Sequence, residues 1–285
     1  MPAGLPLPFE PPPRAGVGEL RAAFERLCGL ALTVPDGALE RPWPWRGDEL
    51  DVRFGLYHVG ESLGELTATL AALGGGGATA ALARQLGLAR WDLHGLLLPL
   101  TDAELDLEPA GEWPLRTVVA HAIEAQGWWT WLLSEWVSEA RRGLPIEGHG
   151  PDRAPPRDGA GEGSLAVLRA RADAWIDAAL GCLPEIEARG LLGAPVTWWD
   201  LPVTAGFYPQ RMAAHLLEHT LQADKTLVLL GRRPSEVERI VRRLCGAYAL
   251  LEAACTEASA AAALATMAEQ EKAAGELASI AAAQA

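Results

Sequence analysis

Apolar residues recur every three or four positions along most of this chain, a spacing that places them on one face of an α-helix. Between residues 114 and 142 this face comprises Leu115, Val118, Ala122, Ala125, Trp129, Leu132 and Trp136. The same pattern predicts helices at 17–32, 50–72, 79–98, 114–142, 164–189, 208–230 and 234–256. A strand-like pattern is nearly absent and leaves one extended piece at 195–204. The chain is therefore predicted to be all-α and built round a helical bundle.

Proline, glycine and alanine interrupt this pattern and divide the chain. Residues 1–15 are rich in proline, and "GGGG" breaks the helical pattern at 74–77. The segment 143–163 has the glycine, proline and charge of an exposed loop, and it is too long for a tight turn between neighbouring antiparallel helices. It is therefore predicted to be a crossover connection. Three parts result: an arm and helical hairpin at 1–78, a bundle at 79–256, and a peripheral alanine-rich helical tail at 257–285.

Two segments of the chain align with each other without gaps. They are "LDVRFGLYHVGESL" at 50–63 and "WPLRTVVAHAIEAQ" at 113–126. The alignment matches three identical pairs: Arg53 with Arg116, His58 with His121, and Glu61 with Glu124. A duplicated helical hairpin explains the similarity, and so does a chance likeness between two amphipathic helices.

The charge and composition of the chain restrict its partners. The formal net charge is -13 and the isoelectric point is about 4.9, so phosphate backbones and anionic membrane surfaces repel the chain. We therefore expect neither nucleic acid nor a membrane as a partner. No stretch reaches the roughly 20 apolar residues of a membrane span, and the first residues lack the features of a signal peptide. A cytoplasmic protein is expected, and its four scattered cysteines suit reduced packing thiols.

Two histidines lie four residues apart in an otherwise apolar helical run. His215 and His219 occur in "HLLEH", and residues at this spacing share a helix face, so both imidazoles can point at one place. A mononuclear site with a reactive position usually takes three protein ligands, and imidazole suits zinc, nickel, iron and copper. His121 is the best placed third ligand, because it lies beside an apolar stripe on another predicted helix. His58 and His94 are the other candidates.

Two alternatives to a mononuclear site remain open. Six histidines in one chain can produce such a pair by chance, and interior histidines are often only hydrogen-bonded to their neighbours. A di-iron carboxylate bundle needs Glu-x-x-His on two helices. This chain instead has the reverse order three times, in "HVGE", "HAIE" and "HLLE". The spacing therefore disfavours the di-iron site but does not separate a mononuclear site from packing histidines.

Two segments joined by a long connection resemble the DinB-like superfamily of damage-inducible, metal-binding four-helix proteins. They are "LTDAELDLEPAGEWPLRTVVAHAIEAQGWW" and "RMAAHLLEHTLQADKTLVLLGRRPSEVERIVRRL". The resemblance covers about residues 80–256, and its most specific parts are "GEWPLR" before His121 and the His-x-x-x-His pair. It implies a four-helix bundle with a long crossover between the second and third helices. The N-terminal hairpin and a C-terminal helical extension lie outside this core. Pro114 stands where the family usually has Ser or Thr, which changes helix capping only.

The resemblance also implies a function. It makes His121, His215 and His219 the ligands of a divalent metal, which is zinc, nickel or iron, and it assigns no further catalytic residue. Characterised relatives include bacillithiol S-transferases and mycothiol-dependent maleylpyruvate isomerases. A transferase or isomerase that acts on a small molecule with a low-molecular-weight thiol is therefore expected. The alternative is a non-catalytic metal-binding or stress-response scaffold, and a homodimer is considered because apolar bundles often pair.

Five further residues are candidates for the surroundings of the ligands. Glu124 is a candidate acceptor that orients a ligating imidazole. Trp128, Trp198 and Trp199 are candidates for the walls of an apolar pocket, although core or dimer packing explains tryptophans equally well. His58 is included because the internal alignment matches it with His121.

Overall fold

The computed structural model describes residues 7–14, 16–73, 77–147 and 159–283. Parts of four predicted features lie outside the described residues: 1–6 and 15 of the arm, 74–76 of the glycine run, 148–158 of the long connection, and 284–285 of the tail. Within the described chain α-helices dominate, and the strands form short antiparallel hairpins. The predicted all-α class, with extra helices before and after the bundle, is confirmed.

The helices lie close to their predicted bounds. They are α1 (Val17–Leu32), α2 (Val52–Leu73), α3 (Ala78–Leu97), α4 (Asp102–Leu105), α5 (Leu115–Arg141), α6 (Leu165–Ala188), α7 (Phe207–Leu229), α8 (Glu236–Ala254) and α9 (Ala260–Ala282). The strands are β1 (Pro42–Trp45), β2 (Asp48–Asp51), β3 (Pro195–Trp198) and β4 (Leu201–Thr204). Among the described residues, none of the helices has the length and apolar character needed to cross a membrane.

The first of two compact units contains most of the predicted bundle, whereas the predicted helix at 234–256 belongs to the second unit. Its described residues are 7–13, 77–93, 100–147 and 159–232. Here α5 packs along both α6 and α7. Arg90 of α3 is 1% exposed, and its Nη1 donates to Oδ1 of Asp177 in α6 at 2.8 Å. These contacts join α3, α5, α6 and α7, and the long connection runs between α5 and α6.

Helix α5 packs against two long helices because residues on more than one of its faces are buried. The helix begins directly after Pro114, where a missing N–H leaves no bond unmade. At its contact with α6, a Cβ on Gly127 would lie 3.0 Å from Cε2 of Trp175. In the same contact the Thr130 hydroxyl donates to the Trp175 carbonyl oxygen at 3.0 Å. Glycine at this position therefore lets α5 and α6 pack closely.

The second unit is built from both ends of the chain. Its described residues are 14, 16–73, 94–99 and 233–283. Here α1 and α2 each pack against α8 and α9. Glu252 of α8 is 1% exposed, and its Oε1 accepts from Nη2 of Arg21 at 3.1 Å and from Nη1 of Arg14 at 3.4 Å. A buried carboxylate needs such partners, so these bonds stabilise the contact between α1 and α8.

The alanine-rich tail is part of this core, and its predicted peripheral position was wrong. Helix α9 buries five residues: Ala263, Met267, Ala274, Leu277 and Ala281. A Cβ on Gly55 of α2 would collide with Leu277, which shows how closely the two helices pack. Small side chains allow this approach although each buries little area. The predicted divisions at residues 78 and 256 differ from the compact units because the two ends of the chain share one core.

Both units contain the same succession of a helix, a 3₁₀ turn, a hairpin and a second helix. One succession is α1, Asp36–Ala38, β1–β2 and α2, and the other is α6, Leu191–Gly193, β3–β4 and α7. Pro42 begins the first hairpin and Pro195, 153 residues further on, begins the second. This offset matches Trp45 and Phe54, whose ring centroids lie 5.8 Å apart, with Trp198 and Phe207, at 5.2 Å. The two successions are therefore structural repeats.

This repeat differs from the one that the sequence alignment predicted. The offset of the hairpins places His58 of α2 at the position of Arg211 in α7, whereas the alignment placed it at His121 in α5. A hairpin precedes α2, but the residues directly before α5 form no strand. The likeness of 50–63 to 113–126 is thus a likeness between two amphipathic helices, and α7 is the structural counterpart of α2.

Substitution of Leu277 by alanine tests the role of the tail. Leu277 is fully buried, so removing its side chain leaves a cavity and is expected to cost about 2–5 kcal/mol of unfolding free energy. Urea unfolding followed by circular dichroism measures the change. The exposed Glu269→Ala substitution in the same helix is the matched control and should change stability by less than about 0.5 kcal/mol. Equal stability of both variants would contradict a core role for α9.

Candidate metal centre

Three histidines from two helices converge in the first unit. His121 lies on α5, and His215 and His219 lie one turn apart on α7. One nitrogen from each ring lies within 4.8 Å of the other two. The His121 ring centroid is 5.2 Å from that of His215 and 4.6 Å from that of His219. The structure thus brings together the three residues that the sequence indicated, while the other candidates for the third ligand, His58 and His94, belong to the second unit.

The donor atoms suit a divalent transition metal. Nε2 of His215 and Nε2 of His219 are 3.1 Å apart. Two imidazole nitrogens bound to one ion at about 2.0–2.1 Å lie about 3.0–3.4 Å from each other, so the observed separation fits. Within the described residues no cysteine, aspartate or glutamate joins this group. Imidazole binds a metal in its neutral form, so a divalent ion held by these three ligands alone would keep its full positive charge.

The position of α7 beside α5 depends on buried groups next to the histidines. Gln126 of α5 is fully buried, and its Nε2 donates to the Met212 carbonyl oxygen in α7 at 3.1 Å. Met212 and Leu216 are buried on the inner side of α7. His215 lies three residues after Met212 and His219 lies three residues after Leu216. Both histidines are half-buried, so their rings lie beside the buried contact between α5 and α7.

Both histidines of α7 are neutral near pH 7. Burial lowers the pKa of His215 to about 3, and the neighbouring His219 and His121 rings act in the same direction because adjacent positive charges repel. Burial also lowers the pKa of His219, although a hydrogen bond to Gln222 opposes this shift. Neutral imidazole is the form that binds a metal, so these two rings need release no proton before binding.

The acidic residues near the histidines do not join the ligand group in the described structure. Glu218 lies between His215 and His219 in the sequence, but its carboxylate forms two hydrogen bonds with Arg211, at 2.7 and 2.9 Å. These bonds lower the pKa of Glu218 and keep it charged. Glu124 lies on α5 one turn after His121 and does not join the ligand group. The predicted role of Glu124 in orienting an imidazole therefore has no supporting contact in the described structure.

Two tryptophans contact the histidines, and they differ from the three that the sequence indicated. Trp113 lies 5.7 Å from His121 and Trp129 lies 4.9 Å from His215, between ring centroids. Trp129 is buried, whereas Trp113 is 46% exposed. The histidines therefore have one aromatic wall on the core side and another on the solvent side.

Contacts with α7 hold the segment that carries Trp113. Lys225 pairs with Glu112, the residue before this tryptophan. The Thr226 hydroxyl donates to the Trp113 carbonyl oxygen at 3.4 Å. The position of Trp113 eight residues before His121, directly ahead of Pro114, was the sequence signal that could have identified it.

The tryptophans predicted as pocket walls have other neighbours. Trp128 lies 5.9 Å from Trp129 and 6.4 Å from Tyr208, and Trp198 lies 5.2 Å from Phe207. Trp199 is 66% exposed at the turn of its hairpin, with a φ of 53°. None of the three has a ring contact with the histidines among the described contacts. They were predicted from their nearness in sequence, which does not specify the direction of a side chain.

His58 belongs to a different aromatic group. Its ring lies 4.8 Å from Trp45 and 6.4 Å from Phe54, between centroids, in the second unit. Nδ1 of His58 is 3.4 Å from Oε2 of Glu61. The sequence analysis missed Gln222, which lies one turn after His219 and contacts it directly. The sequence could have indicated Gln222, because a side chain that can form hydrogen bonds lies three residues after a candidate ligand on the same predicted helix.

Acid should destabilise the metal-free protein partly through the histidines of α7. The pKa of His215 is about 3 in the folded chain against 6.5 ordinarily, so below about pH 6.5 the unfolded chain binds more protons. Stability should therefore be highest above this pH and fall as the pH drops towards 3. The slope from this ring should be at most about 1.4 kcal/mol per pH unit, and smaller because the ring is partly solvated.

Urea unfolding in the presence of a chelator, from about pH 7 to pH 4, measures this dependence. His215→Gln removes the titrating group, so the variant should lose less stability than the wild type over the same range. The comparison concerns the two slopes, and any change of absolute stability in the variant does not affect it. Identical slopes would contradict the role of His215 in the acid response.

Comparison with known proteins addresses the identity of this bundle. The family model of the DinB superfamily matches residues 85–223, a range that contains all three histidines. No significant match was found among curated proteins or among solved structures. The family match agrees with the helical architecture, and it covers the first of the two sequence segments and the part of the second that carries His215 and His219. Residues 85–223 of this chain therefore form a region of the DinB superfamily.

Proposed function

We propose that this chain binds one divalent transition-metal ion through His121, His215 and His219, and that the site activates a low-molecular-weight thiol for a transferase or isomerase reaction. The observation that carries the proposal is the convergence of three imidazoles from α5 and α7 within 4.8 Å. Membership of the DinB superfamily supports it, because proteins of this family generally bind metals. Zinc, nickel and iron all suit three imidazole ligands.

The chain's own residues define what the site can do. When bound, a divalent ion lowers the pKa of a thiol or water at an open coordination position and makes it a nucleophile near neutral pH. Trp129 closes the core side of the histidines, and the exposed ring of Trp113 offers an apolar surface against which a small electrophile can pack. This arrangement favours an uncharged or aromatic electrophile over a strongly hydrated one.

The nucleophile in this proposal comes from outside the chain. All four cysteines are buried. Burial raises the pKa of the Cys182 thiol to about 12, so it stays protonated and unreactive near neutral pH. Free buried thiols also suit the reducing cytoplasm, where low-molecular-weight thiols are kept reduced.

Metal analysis tests the ligands. Purified wild-type protein loaded with zinc or nickel and desalted should retain about one ion per chain. His215→Ala and His219→Ala should retain little, because two imidazoles hold an ion poorly. Inductively coupled plasma mass spectrometry measures the content. Quenching of tryptophan fluorescence by nickel is a second readout, since Trp113 and Trp129 contact the histidines.

His58→Ala is the matched control for these variants. It removes a half-buried histidine from a helix, as the other substitutions do, but from the aromatic group of the second unit. It should keep the wild-type metal content. Metal content that is negligible in the wild type, or unchanged in His215→Ala, would rule out the proposed site.

A conjugation assay tests the reaction. Each reaction contains metal-loaded protein, chlorodinitrobenzene and one thiol, which is bacillithiol, mycothiol or glutathione. Product formation is followed by absorbance. Turnover above the uncatalysed rate is expected with at least one thiol. It should be lost in His215→Ala and kept in His58→Ala. A metal-loaded protein that is inactive with every thiol and several electrophiles would instead support the non-catalytic metal-binding scaffold.

A further inference from the structure

Gln222 forms a short hydrogen bond with one of the converging histidines. Its Oε1 lies 2.8 Å from Nδ1 of His219, which is ordinary hydrogen-bond distance. An amide oxygen only accepts, so Nδ1 of His219 carries the proton in this contact. The other ring nitrogen, Nε2, is then unprotonated, and it is the atom that lies 3.1 Å from Nε2 of His215.

We infer that Gln222 is a positioning residue that fixes His219 in the tautomer and ring orientation required of a ligand. This inference rests on the proposed metal site. A ligating imidazole usually donates its second N–H to a carboxylate, a backbone carbonyl or water, and this bond sets which nitrogen faces the metal. Here a neutral side-chain amide takes that role. It orients the ring without adding a negative charge, so the charge of the ion remains available to an incoming thiolate.

Neighbouring groups show why this role falls to Gln222. Glu218 is nearer to the ligands in sequence, but its carboxylate is engaged by Arg211. Nδ1 of His215 is buried and has no hydrogen-bond partner in the described part of the chain. Of the two histidines on α7, His219 is therefore the one whose tautomer is set by a side chain. His215 can then donate from Nε2 to the free Nε2 of His219 when no ion is bound.

Three variants separate this role from general packing. Gln222→Leu removes the acceptor but keeps a side chain of similar size. Gln222→Glu keeps an acceptor oxygen at the same reach and serves as the conservative rescue. Gln210→Leu makes the same chemical change at an exposed position of α7 and is the matched control. Thermal unfolding of the metal-free variants checks that each one folds.

The first measurement needs no metal. ¹⁵N nuclear magnetic resonance of metal-free protein with labelled histidine reports which ring nitrogen carries the proton, and His219→Gln assigns the signal. His219 should be protonated at Nδ1 in the wild type, in Gln222→Glu and in Gln210→Leu. This preference should be lost in Gln222→Leu. An unprotonated Nδ1 in the wild type, or the same tautomer in Gln222→Leu, would overturn the inference.

The second measurement is the metal affinity, determined by competition with a coloured chelator. Gln222→Leu should bind zinc or nickel about 10- to 100-fold more weakly than the wild type. Gln222→Glu should bind at least as tightly as the wild type, and Gln210→Leu should bind equally. Equal affinities of Gln222→Leu and the wild type would overturn the inference. If the wild type binds no metal, the proposed function fails, whereas the tautomer measurement still decides the role of Gln222 in orienting His219.

Discussion

Gln126 is buried where α5 meets α7, and its amide donates to the Met212 carbonyl oxygen one turn before His215. A buried amide that lost this acceptor would carry an unpaired donor, which costs more than the bond itself contributes. This hydrogen bond therefore fixes the register between α5 and α7 close to the histidines. A shift of either helix by one residue would rotate His121 away from the other two rings. The convergence of the three histidines therefore depends on this helix contact.

Burial also determines the chemical state of the site. The rings of His215 and His219 lie where water has limited access, so their charged forms are disfavoured. Proximity of the three rings acts in the same direction. The arrangement that gathers the nitrogens thus also keeps two of them unprotonated, and both effects come from the same packing of α7 on α5. Trp129 on the core side and Trp113 on the solvent side complete the surroundings.

The structural repeat shows which residues of the second unit correspond to the histidine pair of the first. The hairpin offset that relates α2 to α7 places Ser62 and Leu66 at the positions of His215 and His219. The second unit therefore repeats the arrangement of helix, hairpin and helix without the ligand pair, and the proposal assigns one metal site to each chain. In place of the ion pair between Arg211 and Glu218, α2 has His58 beside Glu61 and an aromatic group. Similar backbones in the two units thus carry different chemistry.

Local spacing in the sequence by itself determined where the long helices lie and which residues share a helix face. The apolar period of three and four residues located the long helices, and the spacing of His215 and His219 placed them on one helix face. Tertiary structure decided which distant residues join them. The sequence named His121 as one of three candidates, and only the contact between α5 and α7 brings it within reach, because side chains on separate helices meet through packing and not through spacing.

The same reason explains where the structure differs from the sequence analysis. Trp128, Trp198 and Trp199 are near the histidine helices in sequence but face other neighbours, while Trp113 was overlooked. The tail was expected to be peripheral because alanine offers little area, yet small side chains let α9 approach α1 and α2 closely and share their core. A sequence records which faces are apolar, but the choice of partner for each face is made only when the whole chain packs.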